Sequence, residues 1–309
     1  MRVLALLAVT LGACQRSSTM IRASLGDAPD ARFRVRLLRS TDLGASWTLD
    51  PAVIAHDVTS LHACTYQGEI WMTGLRFVTD IPWWESAFPA PFVDVFRSPD
   101  GTTWRADRIP LELDAHRAID PACVVGPEGL EMWVADLEGL GDPAEGSRAA
   151  RIWRTRWNGS DAFDRGEVVF HGTSVVDPSP VYGPDGTLRL FLNERAARIV
   201  EARGDQLHSR WEGVTVPGAA TTPNGMLLLA QRADQPRSVL VRSIEPSGGL
   251  GPVQTWDLPG VQSCESPSLT TLGDTWWLFC VDRALGPPPG APAETSGPPG
   301  AHPPQGTRR

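Results

Sequence analysis

Three carboxylates stand at the head of one repeated phrase. Asp120 opens DPACVVGPEGLEMWV, Asp177 opens DPSPVYGPDGTLRLF and Glu265 opens ESPSLTTLGDTWWLF, while a fourth copy, VPGAATTPNGMLLLA, opens on Val216. Acids at one position of a unit that repeats around an axis are brought together at that axis. Inverting glycoside hydrolysis uses two carboxyl groups roughly 6.5–9.5 Å apart, with a water between one of them and the sugar. Crowding raises the pKa of one carboxyl and makes it a general acid. Asp120, Asp177 and Glu265 are therefore the candidate catalytic residues. An Asp before Pro at a strand start also caps backbone amides, so a purely structural role stands beside the chemical one.

The phrase that carries these acids reads as a β-hairpin. Each copy begins extended, crosses a Gly-centred turn and returns through apolar residues of strand type. A second phrase alternates with it: Arg39-Ser40-Thr41-Asp42-Leu43-Gly44-Ala45-Ser46-Trp47 recurs 58 residues on as Arg97-Ser98-Pro99-Asp100-Gly101-Thr102-Thr103-Trp104. Both resemble the Asp-box of sialidases and other propellers, a structural turn, and degenerate copies lie at Arg156–Gly159 and Arg242–Glu245. The spacing is steady, with Ser98 22 residues before Asp120 and Ser243 22 before Glu265. A fifth inner hairpin fits Leu61–Thr73, and a fifth outer one, without a box, fits Arg198–Trp211. Two strands plus two strands is a propeller blade. The expected fold is all-β, a five-bladed β-propeller over 33–283, whose first outer hairpin (33–50) completes the last blade with 265–282 and hides the sheet edges. The acids and the connections that follow each inner hairpin then share one face. The turns near Gly126, Gly183 and Gly273 share the other.

Around the acids, the connection 74–92 carries Trp83 and Trp84, which either stack on a sugar ring or plug the loop onto the propeller. His62 and Arg117 complete the expected substrate-binding set, while His62, His116 and His171 form no recognised metal motif. Asp136, Glu138, Asp142 and Glu145 read as solvated loop charges that would also suit a cation. No cofactor is expected, with a structural cation in the channel as the one allowance. No phosphate-binding Gly loop or Ser nucleophile elbow is present.

The chain's ends speak to location. Arg2 precedes an apolar run from Val3 to Ala13, too short to span a bilayer. The run ends in Leu11-Gly12-Ala13-Cys14, which resembles the lipobox of bacterial lipoproteins. The resemblance implies a signal peptide at 1–13, lipidation of Cys14, a tether at 14–32 and, with Gln15 next, an outer-membrane lipoprotein of the cell envelope. The membrane is then reached by the lipid anchor only. The Pro/Gly-rich tail at 284–309 is expected to be disordered. A net charge of −8 gives nucleic acid no electrostatic hold, so a glycan or a surface protein is the expected partner, and a monomer the expected state. Export permits disulfides among Cys64, Cys123, Cys264 and Cys280. Three connectivities exist. Position favours 64–123, on adjacent inner strands, with 264–280, placed opposite each other by a three-residue turn at 271–273. Zinc is the poorer reading, because no Cys-x-x-Cys spacing occurs.

With blades counted, a family resemblance becomes specific. The chain resembles glycoside hydrolases of family 43 and their relatives in families 32 and 68. Val176-Asp177-Pro178-Ser179-Pro180-Val181-Tyr182 resembles the internal Asp-Pro blade, and Glu265-Ser266-Pro267-Ser268-Leu269 resembles the blade that carries the Glu general acid. The resemblance implies Glu265 as acid, Asp177 as the residue that tunes it and orients substrate, and Asp120 as base. The family's base lies on the first blade, where this chain has Leu61-His62, and here the Val216 copy separates Asp177 from Glu265. The reading is an exported glycosidase-like propeller that binds a glycan, with or without hydrolysing it. Its alternatives are a non-catalytic surface propeller and a sialidase-like protein. The last would need three arginines around a carboxylate and a Tyr nucleophile, and Tyr66 and Tyr182 are the only tyrosines.

Overall fold

A computed structural model of the chain describes residues 19–22, 33–76, 92–115, 118–137, 149–195 and 197–283. Among these residues there is no helix, and the strands form five antiparallel sheets. From the axis outward the first blade is β4 (Val58–Tyr66), β5 (Glu69–Arg76), β6 (Phe92–Ser98) and β7 (Thr103–Pro110), with β1 (Thr19–Arg22) added at its outer edge. The second is β8 (Ala118–Gly126), β9 (Gly129–Leu137), β10 (Ala149–Arg156) and β11 (Glu167–Thr173), and the third is β12 (Val175–Tyr182), β13 (Leu188–Glu194), β14 (Arg198–Arg203) and β15 (Gln206–Glu212). The fourth is β16 (Thr215–Thr222), β17 (Gly225–Gln231), β18 (Ser238–Ile244) and β19 (Gln254–Asp257). The fifth joins both ends of the domain: β20 (Glu265–Leu272), β21 (Thr275–Arg283), β2 (Phe33–Ser40) and β3 (Thr48–His56).

This is the five-bladed propeller expected from the repeats, closed as expected. β2 pairs with β21 from Phe33↔Arg283 to Ser40↔Trp276, so an N-terminal hairpin finishes the C-terminal blade. The innermost strands touch in ring order, β4 to β8 to β12 to β16 to β20 and back to β4. The stretch read as a tether contributes β1, which covers the open edge of β7, where unpaired backbone groups would otherwise face solvent.

Alternation along each strand sends one set of side chains into each gap between blades. Five apolar clusters result, one per interface; Trp104 of the first blade, for instance, meets Phe279 of the fifth edge-on at 5.8 Å. Burying a large apolar side chain contributes about 1.5–3 kcal/mol, so these interfaces dominate stability. The tryptophans serve them, since nine of those among the described residues are buried. The outer turns lock in the same way. In the Ser98–Trp104 turn, Asp100 Oδ1 accepts the backbone N–H groups of Thr102 (2.8 Å) and Thr103 (2.9 Å), and Gly101 lies flat on Trp277, which a Cβ would strike at 2.3 Å. Cys64 bonds Cys123, joining the first two inner strands, and Cys264 bonds Cys280 within the last hairpin. All four thiols are thereby used, which removes the zinc alternative. The turn of that hairpin holds two residues rather than three, since Leu272 pairs with Thr275. The bulge in β20 sets Glu265 opposite Val281, and Cys264 reaches Cys280 from just before the strand.

That bulge recurs in every blade. The inner ladder skips between Thr59 and His62, Ile119 and Ala122, Val176 and Ser179, Thr215 and Gly218, and Glu265 and Ser268. Inside each skip one residue has left-handed backbone: Ser60 (φ 50°), Asp120 (51°), Asp177 (51°), Val216 (51°) and Ser266 (50°). These are the five equivalent positions around the axis. The repeated phrase as written aligns Glu265 with Asp120; the structure aligns Ser266, one residue later. The first blade likewise presents Ser60 at this position rather than Leu61.

Candidate functional site at the propeller axis

The bulge sets the chemistry of the axial mouth. A left-handed residue on an otherwise extended strand turns its side chain from the pleat toward the axis. Ser60, Asp120, Asp177, Val216 and Ser266 accordingly line one cavity, together with His62. Its water-accessible space is about 10 Å³, enough for about one water molecule and far less than a sugar ring.

Asp120 and Asp177 sit on adjacent blades and are linked. Asp120 Oδ1 accepts the Ser60 hydroxyl at 2.7 Å, and its Oδ2 accepts the backbone N–H of Asp177 at 3.3 Å. Asp177 Oδ2 accepts Nδ2 of Asn193 at 2.9 Å. Among the described residues neither carboxylate has an ion-pair partner. Burial therefore lifts the Asp120 carboxyl above its usual range, against the pull of its two hydrogen bonds. Burial, and then the charge of Asp120, push Asp177 up to about 8, so the pair holds a proton at neutral pH.

Below the acids, His62 is buried and reaches past the second blade to Ser179 of the third, with Nε2 3.3 Å from its Oγ. Nδ1 is buried without a partner, and burial holds the imidazole down at about 4, so it is neutral. His62 lines both the mouth and a channel of about 160 Å³ beneath it, which it separates. Hydroxyls clamp the ring around this channel: Ser179 Oγ accepts Ala219 N–H at 2.6 Å, Ser268 Oγ accepts Ala63 N–H at 2.7 Å, and Thr73 donates to Pro121 O at 2.7 Å.

Glu265 is on the same face but not in the mouth. It precedes the bulge, and its Oε1 lies 3.1 Å from Nε of Arg283. Burial raises its carboxyl, although Arg283 opposes the shift. The structure thus brings together Asp120, Asp177 and His62, and leaves Glu265 in a separate ion pair. Trp83, Trp84, Arg117, His116 and Cys14 lie outside the described residues. So do Glu138, Asp142 and Glu145. Asp136 is no solvated loop charge; it is fully buried on β9, 2.6 Å from Arg151. His171 is exposed on an outer strand, away from the channel. Among the described residues no group of three or more His, Cys, Asp or Glu could hold a metal ion.

Ser60 and Ser266 are the mouth residues that the carboxylate pattern overlooks. Aligning the Xaa-Pro pairs Asp120-Pro121, Asp177-Pro178, Val216-Pro217 and Ser266-Pro267 would have found the second.

No protein-family model matches the chain, and no curated protein is similar to it. Solved structures with a similar course do exist. A family 43 glycoside hydrolase from Xanthomonas citri, complexed with xylotriose, is 12% identical over 74% of this chain and 86% of its own, with a TM-score of 0.49. A thermostable family 43 glycoside hydrolase is 9% identical over 75% of this chain and 95% of its own, with a TM-score of 0.47. An exo-1,5-α-L-arabinanase from a bovine ruminal metagenomic library is 10% identical over 73% and 92%, at 0.47. At such identities the likeness concerns architecture and assigns no residue a role: the chain is a five-bladed β-propeller whose structural neighbours include glycoside hydrolases of family 43.

Proposed function

We propose that the acid face of this propeller binds a glycan, with Asp120 and Asp177 as its polar floor. The observation that supports this is the linked carboxyl pair at the axis, unneutralised by any basic group among the described residues. A pair that holds one proton presents both a donor and acceptors, which suits sugar hydroxyls. The mouth admits about one water, so the sugar lies above it, toward the connections that leave β5 and β9 on this face. Those connections include Trp83 and Trp84, which in this reading stack on the ring.

Hydrolysis is the second reading, favoured by the raised carboxyl of Asp177. In that reading Asp120 is the base, and Glu265 becomes the acid only after release from Arg283. An array of plant and bacterial glycans, followed by reducing-end assays on aryl arabinosides, aryl xylosides and fructans, separates the two. Binding without turnover supports a non-catalytic receptor. Turnover that survives Glu265→Gln excludes Glu265 as the acid. No binding to any glycan would overturn both.

The lipobox-like Leu11-Gly12-Ala13-Cys14 supports placement on the envelope, probed by palmitate labelling. A Cys14→Ser protein should lose the label and leave the membrane fraction. Label that persists would place the anchor elsewhere.

A further inference from the structure

A larger cleft, of about 500 Å³, opens at the third blade between Trp133 and Phe170 of the second and the turn Pro246–Gly248 of the fourth. It lies on the face opposite the acids, because it is lined by the start of β13 and the β14–β15 turn. One wall is apolar, formed by Phe170, Leu188 and Leu190; the other is formed by Arg189, Glu201, Arg203 and the Ser247-Gly248 backbone.

Charge in that second wall does not balance. Glu201 is almost fully buried and meets three guanidinium groups: Arg189 Nε at 2.7 Å, Arg203 Nη2 at 3.0 Å and Arg210 Nε at 2.6 Å. Burial works against its ionisation, but the three arginines outweigh it and hold its carboxyl below the usual range. Arg189 and Arg203 line the cleft and Arg210 reaches Glu201 from outside it, so the wall itself carries one positive charge in excess. Arg189 is itself 8% exposed; its Nε goes to Glu201 and its Nη2 to Gly248 O at 3.0 Å, while its Nη1 has no partner. The guanidinium lies over the Phe191 ring at 5.2 Å, so Nη1 is sealed from the cleft while the charge of Arg189 stays beside it. Gly248, at φ +90°, keeps the approach open, since a Cβ there would lie 3.0 Å from Arg203 and 3.8 Å from Arg189. The nearby Glu245 is turned to its own loop, where it accepts from Ser247 Oγ at 3.3 Å.

We infer that this cleft is a binding site for a small carboxylate-bearing ligand. The carboxylate bonds to the half-exposed Arg203 in the positive field of Arg189, and a ring or short chain lies on the Phe170–Leu190 wall. Planar guanidinium groups suit a carboxylate's two oxygens, and the volume suits a ligand of one or two rings. The site is independent of the glycan reading of the opposite face.

The test is calorimetric titration of the full chain with benzoate, galacturonate and sulfate, with benzamide as the neutral control. Arg189→Ala risks the fold by stranding Glu201, so the variants are Arg203→Ala, at a half-exposed side chain, and Ser247→Glu, at an exposed turn position. The expected result is saturable binding of benzoate or galacturonate, none of benzamide, and at least a roughly tenfold loss in each variant, the worth of one charge-assisted hydrogen bond. Sulfate binding with the same losses would keep the arginine site but remove the role of the apolar wall. Absence of binding by all three anions overturns the inference. So does binding that both variants leave unchanged.

Discussion

The Asp120–Asp177 pair makes a prediction about protons. A carboxyl whose folded pKa is raised binds a proton more tightly in the folded state. Its stabilisation is complete below the unfolded value near pH 4 and is lost as pH rises through the folded value. With Asp177 pushed up to about 8, the protein should weaken progressively between about pH 4 and pH 8. Asp177→Asn removes the charge and keeps an oxygen for Asn193 Nδ2. It should leave stability unchanged at pH 4 and raise it at pH 8 by on the order of 2 kcal/mol. Urea denaturation at the two pH values checks this, and a variant equally stable or weaker at pH 8 would show that the pair carries no such repulsion. His62 acts in the opposite sense: its folded pKa is held down to about 4, so its contribution is present above about pH 6.5 and lost as pH falls through 4.

At the scale of the element, the inner-strand bulge explains both the site and the limits of reading it from sequence. Hairpins, blade count and closing partner are legible because strand alternation, turn residues and a steady 21–22 residue spacing are written locally. The bulge is not, because one left-handed residue leaves the apolar pattern on either side intact. Hence Glu265 looks like the equal of Asp120, when the bulged residue is Ser266. The hydroxyl of Ser60 on Asp120 is equally invisible, since it depends on how two blades meet. Val216 sharpens the point. A β-branched residue at φ 51° is strained, whereas Asn tolerates that region. Val216→Asn should therefore stabilise the domain by about 1 kcal/mol, read as a higher melting temperature; a loss of stability would mean that packing of the valine outweighs the strain.

Across the whole molecule, stability depends on keeping a ring closed. Interblade apolar clusters, hydrogen bonds between blades and the Cys64–Cys123 disulfide hold adjacent blades together, and the β2–β21 seam closes the last blade. Cys64–Cys123 closes a chain segment of 59 residues across two blades, and Cys264–Cys280 one of 16 within a single hairpin. The chain-entropy account gives about 4 kcal/mol for the first and about 3 for the second. Removing Cys64–Cys123 by paired serine substitutions should thus cost more than removing Cys264–Cys280, as denaturant midpoints would show; the reverse order would place the weak point at the seam. The closed ring keeps the two proposed sites apart, with the acid mouth on one face and the arginine cleft on the other. Calorimetric titration with xylo- and arabino-oligosaccharides shows whether the mouth binds a glycan. Wild-type protein should bind saturably, the Asp120→Asn/Asp177→Asn double variant at least about tenfold more weakly, and Arg203→Ala as the wild type does. Equal affinity in the double variant, or no binding by the wild type, would contradict glycan binding at the mouth.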